Sequence, residues 1–352
     1  VSKGRLTQTD MDKRLALISP TLDYTNAKDV DVAIEATLEE LVLKKEIFSQ
    51  LDAVCKTDTI LATNTSTLDI NEIASVTKRP EKVIGTHFFN PANVMRLMEN
   101  VRGVKTSKHT IATIMKLSKT IGKIGVLVGV CDGFVGNRML YAYRRQANFL
   151  LEEGAQPQQI DRVLYDFGMP MGPFQMADLA GLDIGWQIRK GQAATRPKHL
   201  RYSPVADRLC ELGRFGQKTG AGWYRYEKGS RTPKQDPVVE TLIRKVSDGL
   251  GITRRPVSDD EIIPRCFYPL INEGAKILEE RIALRASDID VIWMCGYGFP
   301  RFRGGPMFWA DLIGISTIYN TMSRLYDEHG DWFEPAPLLA KLAKEDKGFG
   351  DL

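Results

Sequence analysis

The sequence predicts an α/β domain built on a parallel sheet, followed by two all-α domains related by internal duplication. Short apolar runs alternate with helical patterns in the first part of the chain, which is typical of strands joined by crossover helices. After Asp132 the apolar spacing becomes helical and the alternation stops. Several segments of this second part then recur in the same order. We therefore expect three domains, at residues 1–129, 130–228 and 229–352.

The first domain is predicted to place polar side chains at one edge of its sheet. Crossover helices make neighbouring strands parallel, so their carboxyl ends meet at the same edge, where ligands of such sheets bind. The polar stretches 35–39, 64–66 and 87–90 each follow or end a predicted strand. The predicted elements are, in order, strand 31–36, helix 41–51, strand 59–64, helix 69–75, strand 83–88, and a helix closing into a strand within 106–128.

The helical part carries an internal repeat whose two copies differ at one informative position. The first copy opens with residues 133–139, and the matching segment of the second copy is 262–266. Arg138 has a counterpart there, whereas Pro264 stands where the first copy has Asn137. Proline has neither an amide side chain nor a backbone N–H, so we expect copy one to work with the α/β domain and copy two mainly to cover it. The clearest matches are 149–153 with 276–280, 172–173 with 305–306, and 177–179 with 310–312.

Composition limits the possible classes of function. Among 352 residues, 48 basic and 44 acidic side chains give a net charge of +4, too small an imbalance to favour nucleic acid as the main partner. The charge is compatible with an anionic small substrate. No apolar run approaches the ~20 residues that span a bilayer. The five cysteines show no metal-binding or redox spacing, so we expect no metal site and a reducing intracellular compartment.

One of only four histidines, His87, ends a predicted strand and precedes an Asn-Pro turn. A lone histidine in such a place is often a satisfied core residue. A histidine with a carboxylate within reach can also form a general acid/base site, and Glu99 follows His87 closely in the sequence. These two residues alone leave both interpretations open.

Three motifs together resemble one family. They are Asn64-Thr65-Ser66, His87-Phe88-Phe89-Asn90-Pro91 with Glu99, and Gly133-Phe134-Val135-Gly136-Asn137-Arg138. The motifs resemble the L-3-hydroxyacyl-CoA dehydrogenases, and the repeated helical module resembles the dehydrogenase portion of multifunctional enzymes of fatty-acid β-oxidation. The resemblance implies a Rossmann-like first domain, NAD as cofactor and an acyl-CoA substrate. It also implies oxidation of (S)-3-hydroxyacyl-CoA to 3-oxoacyl-CoA, with an enoyl-CoA hydratase/isomerase domain upstream.

The resemblance implies a role for each matched position. His87 is the general base that removes the proton of the substrate 3-hydroxyl, and Glu99 orients it and stabilises its charged form. Ser66 and Asn137 hydrogen-bond the reacting oxygen and the base. Asn90 holds the active-site loop and the nicotinamide end. The other positions that line the cofactor groove are Glu39, Lys44 and Asn64.

Simpler explanations exist for four of these positions. Ser66 and Asn64 could cap the helix near Asp69. Lys44 could be a solvated helix residue. Glu99 could be a surface charge.

The sequence departs from the family pattern at the start of the NAD-binding domain. It has no Gly-x-Gly-x-x-Gly turn between a strand and a helix, the element that seats the pyrophosphate of the cofactor. We therefore expect this domain to be incomplete at its N-terminus and to bind NAD weakly or not at all. A catalytically silent fragment, or a structural relative such as the lens crystallin-like proteins of this fold, is the alternative function.

The resemblance also bears on oligomeric state and location. Single-module members of the family pair through the helical domain, and a second copy within one chain can take the partner's place, which predicts a monomer. The family's bacterial type implies a cytoplasmic protein, which we expect here, with the peroxisome as the alternative.

Overall fold

A five-stranded sheet forms the first domain. The computed structural model describes Gly4 and residues 6–352. Within that part of the chain, the four strands expected from the sequence are all present, and a further strand joins them. The strands are Val32–Glu35 (β1), Ile60–Thr63 (β2), Val83–Phe88 (β3), Leu97–Arg102 (β4) and Ile124–Gly129 (β5), in sheet order β1-β2-β3-β4-β5.

The sheet is only partly parallel, which corrects the prediction. β1, β2 and β3 are mutually parallel. β4 pairs antiparallel with β3, and β5 pairs parallel with β4. The segment 89–96 between β3 and β4 contains no helix and is shorter than the dozen or more residues that a parallel crossover needs. Strand β4 was not among the predicted strands because residues 97–101 are all buried, which leaves no alternation to mark a strand.

The rest of the described chain is mainly helical, as predicted for the part after Asp132. The predicted helices 41–51 and 69–75 are also present. No helix in the described residues is both long enough and apolar enough to cross a membrane. The helices are Gln8–Leu15 (α1), Leu41–Val54 (α2), Ile70–Ala74 (α3), Lys108–Thr120 (α4), Gly136–Glu153 (α5), Pro157–Phe167 (α6), Pro173–Ala180 (α7), Leu182–Gly191 (α8), Val205–Glu211 (α9), Pro237–Gly249 (α10), Asp259–Glu279 (α11), Ala286–Ile292 (α12), Pro306–Ile313 (α13), Ile315–His329 (α14) and Pro337–Glu345 (α15).

Different elements cover the two faces of the sheet. Side chains alternate between the faces along each strand. One face packs against α4, and the other packs against α2 and is continuous with the core of the helical region. The strand residues of the first face are Ile60, Ala62, Ile84 and Met98, and those of the second face are Leu61, Val83, Leu97 and Val101.

The face that meets the helical region also carries two of the predicted site residues. His87 lies on the same face as Val83, and Glu99 lies on the same face as Leu97, because the side-chain period of a strand is two. The antiparallel turn of the chain at β4 therefore brings a histidine and a glutamate to the same side of the sheet.

The two helical regions share several local hydrogen bonds and helix ends. The longest helices, α5 and α11, pack against each other. Asp161 in α6 accepts backbone N–H groups from the first turn of α7, and Asp290 in α12 does the same for α13. Gly181 and Gly314 end α7 and α13 with φ of 97° and 94° and ψ of 122° and 121°. Glycine suits both positions because side chains disfavour positive φ.

Candidate active site

His87 and Glu99 lie directly opposite each other on β3 and β4. His87 Nδ1 is 2.7 Å from Glu99 Oε2. A carboxylate can only accept a hydrogen bond, so Nδ1 carries the proton and Nε2 keeps its lone pair. Glu99 is fully buried and His87 is 7% exposed, so the explanation of Glu99 as a surface charge is wrong. The pair has the arrangement of a general base with the group that orients it.

The N-terminus of α5 holds the second oxygen of Glu99. Gly136 donates its backbone N–H to Oε1 at 3.0 Å, and the partial positive charge of the helix N-terminus favours the carboxylate. Phe134, just before the helix, has a φ of 49°. Such a left-handed conformation costs a non-glycine residue about 1–3 kcal/mol and is common at functional sites. The loop that enters α5 thus forms one wall around the histidine.

Aromatic rings hold the imidazole in place. The ring centroid of Phe89 is 4.8 Å from that of His87, and the buried ring of Phe134 is 5.8 Å away. Within the described residues, His87 Nε2 makes no hydrogen bond. It is therefore the nitrogen available to take a proton from a bound alcohol.

Lys44 is buried at the carboxyl end of β1, so the explanation of a solvated helix residue is wrong. Its ammonium lies 2.8 Å from Glu35 Oε1 and 3.6 Å from Glu39 Oε2. Burial raises the pKa of Glu35, but hydrogen bonds from Lys44 and two threonine hydroxyls outweigh it and hold that pKa below its usual value. Glu35 is not among the predicted site residues, although its place at the end of a predicted strand was a usable signal.

Glu39 binds the turn that follows β2. Its Oε1 accepts the Thr65 hydroxyl at 2.6 Å, and the backbone N–H and hydroxyl of Ser66 at 2.8 and 3.2 Å. Burial raises the pKa of Glu39, but these hydrogen bonds and the charge of Lys44 bring it below its usual value. Its Oε2 has one polar neighbour in the described part of the chain, Lys44, and the side chain is 37% exposed. The structure thus places Ser66 against Glu39.

Asn64 links the ends of β2 and β3. Its Oδ1 accepts the backbone N–H of Phe88 at 2.8 Å, which leaves the two Nδ2 donors for a ligand. Asp69 caps α3 by accepting a backbone N–H of its first turn, so the capping explanation for Asn64 and Ser66 is wrong. Asn90 lies exposed in the loop after β3 and makes no side-chain hydrogen bond within the described residues.

Asn137 lies in the first turn of α5, next to the residue that binds Glu99. Its Oδ1 accepts a hydrogen bond from the Tyr297 hydroxyl at 2.8 Å. Tyr297 belongs to the second helical region and is absent from the predicted site. The repeat predicted from the sequence contained a signal, because it aligns Tyr297 with Phe167, and the two side chains differ by one hydroxyl. The second helical region therefore contributes a hydrogen bond to a predicted site residue.

Two family models match the chain. The model described as 3-hydroxyacyl-CoA dehydrogenase, NAD binding domain, matches residues 1–131, and the model described as 3-hydroxyacyl-CoA dehydrogenase, C-terminal domain, matches residues 133–226 and 262–349. The chain belongs to the 3-hydroxyacyl-CoA dehydrogenase family. The NAD-binding-domain model matches the chain from residue 1 to residue 131, which does not support the expectation that the N-terminal half of this domain is missing.

Solved structures resemble this chain over nearly its whole length. A 3-hydroxybutyryl-CoA dehydrogenase from Escherichia coli is 27% identical, with a TM-score of 0.84 over 98% of this chain and 88% of that chain. The dehydrogenase part of multifunctional enzyme 1 from C. elegans is 35% identical, with a TM-score of 0.68 over 97% of this chain and 78% of that chain.

Curated relatives are longer than this chain. A peroxisomal bifunctional enzyme from Danio rerio is 49% identical over 342 residues, which cover 93% of this chain and 48% of the relative. A peroxisomal bifunctional enzyme from Homo sapiens is 51% identical over 330 residues, which cover 90% of this chain and 46% of the relative. The chain thus spans about half the length of the curated relatives it matches.

Proposed function

We propose that this chain catalyses the NAD-dependent oxidation of (S)-3-hydroxyacyl-CoA to 3-oxoacyl-CoA. The observation that carries the proposal is the buried pair of His87 and Glu99, whose histidine lies near the carboxyl end of β3. Ligands of α/β sheets bind at that edge. Membership of the dehydrogenase family and its NAD-binding domain support the reaction and the cofactor.

His87 is the general base in this proposal. Nε2 takes the proton of the substrate 3-hydroxyl as the hydride leaves C3, and the alcohol becomes a ketone. The imidazole then carries a positive charge, which Glu99 stabilises at 2.7 Å in a buried setting where the attraction is stronger than in water. In the reverse direction the same nitrogen returns the proton to the carbonyl oxygen.

The polar groups left free at the carboxyl ends of the strands fit the nicotinamide end of NAD. NAD, when bound, accepts the hydride from C3. Glu39 Oε2 can accept a hydrogen bond and Asn64 Nδ2 can donate one, which suits the carboxamide and ribose hydroxyls of that cofactor. We assign exposed Asn90 to the same groove. Lys44 holds Glu39 and acts through it, because its ammonium is buried against carboxylates.

Ser66 and Asn137 are proposed to align the substrate oxygen. The Ser66 hydroxyl makes only a long bond of 3.2 Å to Glu39, so it can turn to a substrate at small cost. Asn137 keeps its Nδ2 donors for the reacting oxygen, since its Oδ1 already has a partner. Both groups would favour the orientation in which hydride transfer occurs.

We propose that the whole protein is a multifunctional enzyme of peroxisomal fatty-acid β-oxidation. The support is its identity of 49% and 51% to two relatives named peroxisomal bifunctional enzymes. An enoyl-CoA hydratase/isomerase activity elsewhere in the protein belongs to the same proposal. The bacterial-type cytoplasmic location expected from the sequence finds no support in these relatives, and the peroxisomal alternative replaces it.

We propose that the two helical copies arose by duplication, with boundaries at 129/130 and 228/229. The two copies share the hydrogen bonds between α6 and α7 and between α12 and α13. The C-terminal loops of the two copies are also held in the same way. Asp178 accepts the backbone N–H groups of Trp223 and Tyr224, and Asp311 accepts those of Phe349 and Gly350. Equivalent aspartates thus bind the closing loop of each copy through two backbone hydrogen bonds.

We propose that the chain is a monomer, because its two copies already form a reciprocal contact. Arg138 of copy one binds Glu280 at 2.5 and 2.8 Å, and the matching Arg265 of copy two binds Glu153 at 2.8 and 3.0 Å. Exchange of equivalent partners is the property of an interface with twofold symmetry. Here that interface lies within one chain, so these two surfaces are already paired with each other.

Sedimentation velocity tests this directly. We expect a single species with the mass of one chain over a wide range of protein concentration, since the pairing surface is already used. A species of twice that mass that grows with concentration would contradict the proposal.

The proposed reaction predicts that the protein in its full natural length oxidises NADH when acetoacetyl-CoA is added. Absorbance of NADH follows the reaction, and acetoacetate without CoA serves as the control substrate. We expect saturable turnover with the CoA thioester and much slower turnover with the free acid, because remote binding energy contributes to catalysis. Absence of turnover with the thioester would contradict the proposed function.

A further inference from the structure

One segment of the second helical copy reaches the candidate active site. Residues Trp293–Tyr297 form a single π-helical turn after α12, a rare conformation that is frequent at functional sites. A Cβ atom on Gly296 would lie 2.6 Å from a methyl group of Leu97 and 3.1 Å from the ring of Phe89. The backbone of this turn thus packs directly on β4 and on the ring beside His87.

The Tyr297 side chain lies against the first turn of α5. A Cβ atom on Gly136 would lie 2.7 Å from the Tyr297 ring and from its hydroxyl oxygen. Gly136 is the residue whose N–H binds Glu99. Absence of a side chain at Gly136 therefore lets the tyrosine ring approach the helix terminus that binds the Glu99 carboxylate.

The tyrosine ring is fixed on two sides. It stacks on the fully buried Trp293, with centroids 4.7 Å apart and an interplanar angle of 25°. Its edge meets Phe89 at 5.5 Å and 90°. Phe89 in turn lies 4.8 Å from the imidazole of His87. Such aromatic contacts restrict the position of the hydroxyl.

The hydroxyl acts as a donor to Asn137. It lies 2.8 Å from Asn137 Oδ1. Burial raises the pKa of Tyr297 well above its usual value of 10, so the hydroxyl keeps its proton at any physiological pH. An asparagine amide has its acceptor and its donors on opposite sides, so a donor bound at Oδ1 fixes where Nδ2 points.

We propose that Tyr297 is a positioning residue for the dehydrogenase reaction, holding the Asn137 amide so that its Nδ2 donors meet the substrate oxygen. The second helical copy then completes the active site of the first. This inference rests on the proposed function. The competing explanation is that Tyr297 only fills space between α5 and the sheet, in which case its hydroxyl is dispensable.

A double-mutant cycle separates these explanations. The variants are Tyr297→Phe, Asn137→Ala and the double variant, made in the full-length protein and assayed with acetoacetyl-CoA and NADH. We expect Tyr297→Phe to lower kcat by about tenfold and to change KM by less than about twofold, because a misaligned donor costs transition-state stabilisation. In the Asn137→Ala background the same change should lower kcat by less than about twofold.

Tyr224→Phe is the matched control. Tyr224 is a buried tyrosine of the first helical region and, like Tyr297, donates its hydroxyl to a side-chain oxygen, that of Asp161 at 2.6 Å. Its loss should lower the melting temperature and leave kcat unchanged. The inference is overturned if Tyr297→Phe keeps the wild-type kcat, or if its effect persists in full without Asn137. Inactive wild-type protein would overturn the proposed function and this inference with it.

Discussion

Replacing His87 by glutamine lowers kcat for NADH oxidation with acetoacetyl-CoA by roughly 10²–10⁴-fold, the range that a positioned general acid/base contributes. Glutamine has similar length and polarity but cannot carry the proton that His87 exchanges with the substrate oxygen. KM for the CoA thioester should change little, because the lost interaction acts on proton transfer in the transition state and not on substrate binding. Steady-state kinetics of the purified variant measures both constants.

His109 supplies the matched control for this experiment. It is exposed on α4, the helix that covers the face of the sheet opposite to His87. His109→Gln should keep wild-type kcat and KM. Wild-type turnover in His87→Gln would contradict the assignment of the base.

Replacing Glu99 by glutamine should lower kcat by about 10²–10⁴-fold, an effect comparable to that of the orienting carboxylate in other acid/base sites. Glutamine keeps the size of the side chain but removes the charge that stabilises the imidazolium. Its amide N–H₂ can also face Nδ1, which would move the imidazole proton to Nε2 and leave no lone pair for the substrate.

The Glu99→Gln variant also needs a folding control, since Glu99 is fully buried and holds the N-terminus of α5. Thermal unfolding of the variant should show whether the domains remain folded at the assay temperature. Glu279→Gln, at an exposed position of α11, should keep full activity. A folded Glu99→Gln variant with wild-type kcat would show that the carboxylate does not support the base.

The sequence predicted the sheet edge well because local patterns mark it. Apolar runs end at polar stretches, and the ends of β1, β2 and β3 lie where the sequence places them. The antiparallel strand β4 was missed although it carries Glu99. Its residues are buried on both faces, and such a run lacks the alternation that distinguishes a strand.

The missed site contacts share a different cause. The backbone N–H of Gly136 and the hydroxyl of Tyr297 reach the site through packing between domains. Tyr297 lies far along the chain from Asn137, and a hydrogen bond between distant segments leaves no periodic trace in a single sequence. Glu35 is different, because it ends β1 and the sequence alone marks that strand end. It was left out of the predicted site because Glu39, and not Glu35, matched the family motif.

The cross-strand placement of Glu99 bears on how the gene can change. Neighbours of Glu99 along β4 are Met98 and Asn100, so a slip of one residue would bring a thioether or an amide to the imidazole. We therefore expect an insertion or deletion within β3 or β4 to separate His87 from Glu99, whereas a change of length in the loop after Asn90 can leave this register intact. Side chains of a strand alternate between the two faces with a period of two, so the register of β3 and β4 decides whether His87 faces a carboxylate.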